Sequence, residues 1–175
     1  AQSEERLPPP PRNKQKKSRN EPRFDVRQSL HRWTGLDLTA IDGIKAHGAL
    51  QLLAEIGTDM SRWETEKHFC SWLSLCPGVN KTGGRVQSKS GKTRPSANRA
   101  ARVLRLCAQS VIRANCALGA YGRRMRAKLG APKAVTAVAH KLAKIVYSML
   151  KHGKTYVDRG AEYYEQRYQE KLVEH

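Results

Sequence analysis

Apolar residues recur at helical spacing in successive stretches of the chain, and these stretches predict a series of α-helices separated by glycine, proline and polar runs. The clearest covers 132–152. Val135, Val138, Ala139, Leu142, Ile145, Val146, Met149 and Leu150 repeat there on one face, Pro132 suits a first turn, and Gly153 suits an end. A second long helix is predicted over 96–118. Ser96 caps it, and Ala100, Val103, Leu104, Cys107, Val111, Ala114 and Leu118 face inward. Residues 119–130 follow as a basic helix between glycines. Two shorter helices precede these. One spans 24–34, with Phe24, Leu30 and Trp33 as apolar anchors and Gly35 as the stop. The other spans 64–75, capped by Thr65 or Ser61, with Phe69, Trp72, Leu73 and Cys76 in the core. A mixed-charge helix over 158–171 closes the series as a solvated tail or a packing element.

The stretch 37–57 (DLTAIDGIKAHGALQLLAEIG) has a more particular pattern. Thr39 caps a short first helix ending at Ile41-Asp42, and Gly43-Ile44 makes a tight turn. A second helix runs from Ala46 to Ile56, with Ala49, Leu50, Leu53 and Ile56 inward and Gly57 at its end. The order apolar-x-Gly-apolar before an amphipathic helix resembles the helix-hairpin-helix module. In that module backbone N–H groups and the second helix's N-terminus hold a DNA phosphate without reading sequence. The resemblance makes Gly43, Ile44 and Lys45 candidate phosphate contacts. Lys45 stands where the module has its second glycine. A helical hairpin without a ligand is the other reading of the same residues.

Two segments lack helical periodicity. Residues 1–22, with LPPPPR followed by NKQKKSRNEP, are expected to form a disordered Pro-rich, basic linker. Residues 77–95 (PGVNKTGGRVQSKSGKTRP) form a long Gly-, Ser- and Lys-rich loop or hairpin. Its SGKT is not a nucleotide-binding loop, because that pattern needs glycine where Val86 stands.

Charge sharpens this outline. The 175 residues suffice for one domain, or one domain plus a tail. Lys and Arg number 33 against 15 Asp and Glu, a formal net charge of +18. The acids lie toward both ends: between Glu66 and Asp158 there is none, while Lys and Arg recur throughout. A like-sign segment of this length repels itself unless an anion is present, so the expected partner is polyanionic. On the helix predicted over 96–118, Asn98, Arg99, Arg102, Arg105, Gln109 and Arg113 fall within an arc of roughly 120° opposite the apolar face. Arg99, Arg102, Arg105 and Arg113 are therefore candidate phosphate contacts, with Arg123 and Arg124 on the next helix. Lys81, Arg85, Lys89, Lys92 and Arg94 join them from the long loop. Aromatic residues make up 6% of the chain, which counts against a single-strand binder built on stacked rings. No stretch approaches the roughly 20 apolar residues that span a bilayer, which excludes a transmembrane protein. An acidic membrane surface is the weaker alternative to nucleic acid as the polyanion, and no membrane partner is expected. The N-terminal stretch lacks both Met and the apolar core of a signal peptide, so a fragment or a processed chain is expected.

The four cysteines (70, 76, 107 and 116) and six histidines follow no zinc-ligand spacing, so no metal site is expected, and buried reduced thiols are the simplest reading. Hydroxyls cluster in the long loop at Thr82, Ser88, Ser90, Thr93 and Ser96, without an Asp/His pair beside them, which disfavours a hydrolytic triad. A hydroxyl attacking a DNA phosphate fits better, since the surrounding Lys and Arg would neutralise the developing charge. A plain mobile loop is the alternative.

From about Asn20 to Tyr168 the chain resembles the C-terminal domain of the DEDD-type insertion-sequence transposases, the family that includes bridge-RNA-guided recombinases. The strings carrying the resemblance include TGLDLTAIDGI, LLAEIGTDMSRW, EKHFCSWLSLCPG, TGGRV, PSANRAARVLRLCAQS and ALGAYGRRMRAKLGAPKAVTAVAHKLAKIVYSML. The resemblance implies a DNA transposase or recombinase whose active site is composite between subunits of a dimer or tetramer. It implies Mg²⁺ held by the acids of an N-terminal RuvC-like domain, of the same or a neighbouring subunit, absent from these residues. It further implies DNA as substrate, a guide RNA in some members, and a bacterial, cytoplasmic and nucleoid-associated setting. A serine nucleophile precedes Gly-Gly in such proteins. Here Thr82 occupies that position before Gly83-Gly84, making it the candidate nucleophile with Ser88 and Ser90 as fallbacks. Without the RuvC-like domain this chain is expected to be inactive, and a non-catalytic nucleic-acid-binding module is the alternative. The expected architecture is an all-α domain over 23–156, with a helix-hairpin-helix element at 37–57 and a long Gly/Ser/Lys-rich loop, preceded by the linker 1–22 and followed by the tail 157–175.

Overall fold

A computed structural model of the chain describes residues 7–9, 22–78, 80–82, 85–88 and 93–173. The described residues form an all-α architecture with one short β-hairpin. Its elements are α1 (Val26–Thr34), a single 3₁₀ turn (Leu38–Ala40), α2 (Ala46–Ile56), α3 (Glu66–Trp72), β1 (Asn80–Thr82), β2 (Arg85–Ser88), α4 (Arg99–Ile112), α5 (Ala117–Leu129), α6 (Ala131–His152) and α7 (Gly160–Val173). No helix is long and apolar enough to cross a membrane among these residues.

α6 is the centre of the packing and touches α3, α4 and α5. Its apolar stripe explains why: Val138, Ala139, Leu142, Ala143 and Val146 are fully buried, and burying each Val or Leu contributes roughly 1.5–3 kcal/mol. Pro132 lies in the first turn as expected, and Gly153 ends the helix in the left-handed region. Tyr147, absent from the expected face, is also buried. Its hydroxyl donates toward the carbonyls of Trp63 (2.9 Å) and Glu64 (3.0 Å), and Lys151 Nζ donates to those of Met60 and Trp63. These bonds tie the irregular segment before α3 to α6. Around them Trp63, Phe69, Trp72 and Tyr147 pack ring against ring.

Several boundaries differ from the sequence expectation. The helix expected over 96–118 divides in two. α4 stops at Ile112, and Cys116 caps α5 by accepting a hydrogen bond from Gly119 N. The apolar period survives the break because Leu118 is buried from α5 instead, so periodicity alone cannot see it. Asn98 caps α4 through Ala101 N, while Ser96 accepts from Asn98 N one step earlier. Asp37 rather than Thr39 caps the 3₁₀ turn, and Thr39 is buried against it. On α1 the inward residues are Val26 and Leu30, whereas Phe24 and Trp33 are 59% and 68% exposed. Trp33 follows Leu30 by one helical turn but stays exposed, while Leu36 beyond the helix packs against the core. Trp72 is likewise more exposed than a core residue. Residues Leu7–Pro9 are described beside α1, where Leu7 N donates to Gln28 Oε1 and Arg27 donates to Pro8 O.

Candidate functional site

The stretch 37–57 folds as a compact turn leading into α2. Ile41 and Ile44 are buried, Ile44 N donates to Ile41 O, and Gly43 adopts φ +82°. That conformation favours glycine, and packing adds a second reason. A β-carbon on Gly43 would meet Val111 Cγ2 at 2.2 Å and Cys107 O at 2.8 Å. The turn therefore presses its backbone against α4. Lys45 is the exposed N-cap residue of α2 and makes no side-chain capping bond.

The long segment after α3 contains the β-hairpin. β1 and β2 run antiparallel, with Thr82 paired to Arg85, Lys81 to Val86 and Asn80 to Ser88, and an irregularity between Asn80 and Lys81. Pro77 bridges to Thr93 at its base. Thr82 thus ends β1 directly before Gly83-Gly84. The hairpin fixes backbone positions for Lys81, Thr82, Arg85 and Ser88. Gly83, Gly84, Lys89, Ser90 and Lys92 lie outside the described residues.

α3 and α6 bring titratable groups together. Lys144 Nζ lies 2.7 Å from a Glu66 carboxylate oxygen, and that hydrogen bond holds the lysine above its ordinary pKa. Burial, then Lys144 and Lys141, push His140 below its ordinary value, so the neutral imidazole is favoured. Burial raises the Cys70 thiol to about 12 and the Cys107 thiol to about 11. Both are poor nucleophiles at neutral pH. The four cysteines are free thiols, Cys76 only partly buried.

The α4 face carries the arginines. Arg99, Arg102 and Arg113 are exposed and Arg105 is half-buried, opposite a face where Ala100, Leu104, Ala108 and Val111 are fully buried. Leu106, 57% exposed, sits within this stripe, a feature the sequence analysis did not single out. An acid distant in sequence also approaches it. Glu55 of α2 stands 3.5 Å from Arg99. That pair is mostly solvent-exposed and weak. Arg94 is exposed between the hairpin base and α4.

Arg123 and Arg124 have partners within the fold. Arg123 donates to the carbonyls of Ile112 (3.2 Å) and Ala114 (2.8 Å), groups left unpaired where α4 ends. Arg124 pairs with Glu165 of α7 and lies 3.5 Å over the Tyr168 ring. One further cluster was hidden by sequence separation. Asp42, Cys116 and Asp158 place one ligand-type atom each within 4.8 Å of one another. Asp158 accepts from Ala117 N and Cys116 from Gly119 N, so both also serve α5's N-terminus.

No curated protein and no solved structure matches the chain. Residues 35–123 match a family described as Transposase IS116/IS110/IS902 family. The matched half of the chain contains the hairpin turn, the Thr82 segment and the whole arginine face of α4. The chain belongs to the IS116/IS110/IS902 transposase family.

Proposed function

We propose that this chain is the DNA-binding and nucleophile-bearing part of a DNA transposase, with Thr82 as nucleophile. The observation that carries the reading is the family match, which encloses both a hydroxyl residue at the end of β1 and the acid-free outer face of α4. Arg99, Arg102, Arg105 and Arg113 bind phosphates and position the duplex without reading its sequence. The turn at Gly43, Ile44 and Lys45 adds a backbone contact. Lys81, Arg85, Lys89, Lys92 and Arg94 stabilise the charge that develops on the phosphate.

Thr82 Oγ attacks the phosphorus of a DNA phosphodiester. The new Oγ–P bond replaces a P–O bond to deoxyribose, and the departing oxygen gains the proton that the threonine loses. A second DNA hydroxyl then attacks the phosphothreonine and frees Thr82, so the number of phosphodiester bonds is conserved. Mg²⁺ prefers oxygen ligands. The Asp42, Cys116 and Asp158 cluster mixes a thiol with two carboxylates, one of which already caps α5. It does not fit that ion. We assign Mg²⁺ to a RuvC-like domain of the same or a neighbouring subunit, in a dimer or tetramer. A guide RNA belongs to the same proposal.

The test is a recombination reaction complemented with the RuvC-like domain. Thr82→Ala abolishes the covalent protein–DNA adduct, and Thr82→Ser retains it. Full-rate recombination by Thr82→Ala transfers the role to Ser88 or Ser90. The second reading, a non-catalytic nucleic-acid-binding module, is favoured by threonine standing where the resemblance implies serine. It predicts DNA binding with no adduct from either variant.

A further inference from the structure

α7 is held against α5 although none of its residues is buried. Arg124 makes two of its contacts, the ion pair with Glu165 and the stack on Tyr168. Tyr164 adds an edge-on contact to Tyr121 at 6.0 Å. The Glu165 side chain is 46% exposed, so the ion pair is a weak one. Arg124 Nε is buried and has no hydrogen-bond partner, so α7 leaves one guanidinium donor unused.

This arrangement is chemically familiar. A carboxylate on a guanidinium offers the same charge-assisted hydrogen bonds as a phosphate. α5 carries Arg123, Arg124, Arg126 and Lys128 and no acid. The joint before α7 also permits movement. Asp158 is bonded to Ala117 N at the start of α5, whereas Gly160, at φ +82° in open space, begins α7. The helix can leave α5 while Asp158 stays in place.

We infer that α7 occupies, in cis, a nucleic-acid-binding face of α5 centred on Arg124, and yields that face to a phosphodiester strand. The inference rests on the nucleic-acid-binding reading above and extends it. It names α7 as a competitor, with the Glu165 carboxylate standing in for a phosphate.

The test measures binding of a fluorescein-labelled DNA duplex by anisotropy, alongside amide hydrogen exchange over 160–173. Glu165→Gln tightens binding about fivefold, the equivalent of one weak ion pair removed from the competitor. Tyr164→Ala, which keeps every charge, tightens it in the same direction. Glu162→Gln changes the net charge equally but removes no contact with Arg124, and it alters affinity less than about twofold. The gain disappears when Glu165→Gln is combined with Arg124→Ala. In the wild-type chain, duplex binding speeds exchange in α7. Wild-type affinity in both Glu165→Gln and Tyr164→Ala, or slower α7 exchange on binding, overturns the inference while the arginine-stripe reading stands. If neither the wild-type chain nor any variant binds duplex, both fall.

Discussion

Gly43 and Val111 are in such close contact that a β-carbon on the glycine would lie 2.2 Å from Val111 Cγ2. The hairpin turn and the helix bearing the arginine stripe are thereby fixed to each other. A Gly43→Ala change forces a left-handed alanine into a filled space. Stability falls by about 3 kcal/mol from combined strain and overpacking, and the melting temperature by on the order of 10 °C. Thermal denaturation checks this, and a wild-type midpoint would show that α4 yields at Val111.

Arg102 and Arg123 carry the same charge but do different work. Arg102→Ala flattens the slope of log affinity against log salt by about 1 and leaves stability within about 0.5 kcal/mol. Arg123→Ala removes the hydrogen bonds to the Ile112 and Ala114 carbonyls and costs about 0.5–1.5 kcal/mol. Paired salt titrations and melting curves separate the two. A flattened slope with an unchanged melting temperature for Arg123→Ala would make it a phosphate ligand instead.

Tyr147→Phe keeps the ring among Trp63 and Phe69 but deletes the donor to the Trp63 and Glu64 carbonyls. The expected loss is about 1–2 kcal/mol, read from urea denaturation at unchanged m-value. A neutral effect would mean that Lys151 alone anchors this segment.

Asp37 governs a pH effect. Burial raises its pKa, but hydrogen bonds from Arg27 and Thr39 outweigh burial and hold it below the ordinary aspartate value. Asp37 and Arg27 lie 2.5 Å apart, both largely buried. A carboxylate with a depressed folded pKa contributes stability that is complete above its unfolded value. That contribution disappears as the pH falls from about 4 through the folded value. Asp37→Asn is accordingly less stable than wild type at neutral pH, and the gap narrows below pH about 4. A gap independent of pH would refute an ionic role for Asp37.

The sequence by itself determined the helices whose apolar residues repeat cleanly. The bounds of α2 and α6 agree with the expectation to within a residue, because a 3.6-residue period and terminal glycines are local properties. The acid-free outer face of α4 was legible for the same reason. Thr82 is singled out as a candidate by the resemblance, and the fold adds that it ends β1.

The tertiary structure decided the rest. It divided 96–118 at Ile112, where Arg123, from the following helix, accepts the task of satisfying the loose carbonyls. It left Phe24 and Trp33 outside a core that their apolar character suggested they would join. It brought Glu55 to Arg99, Glu66 to Lys144 and Glu165 to Arg124, pairs that no helical period encodes. The physical reason is common to all of these. Periodicity reports which face of an element is buried, whereas partners across the fold depend on how helices pack, and that depends on the shapes of side chains far apart in the chain.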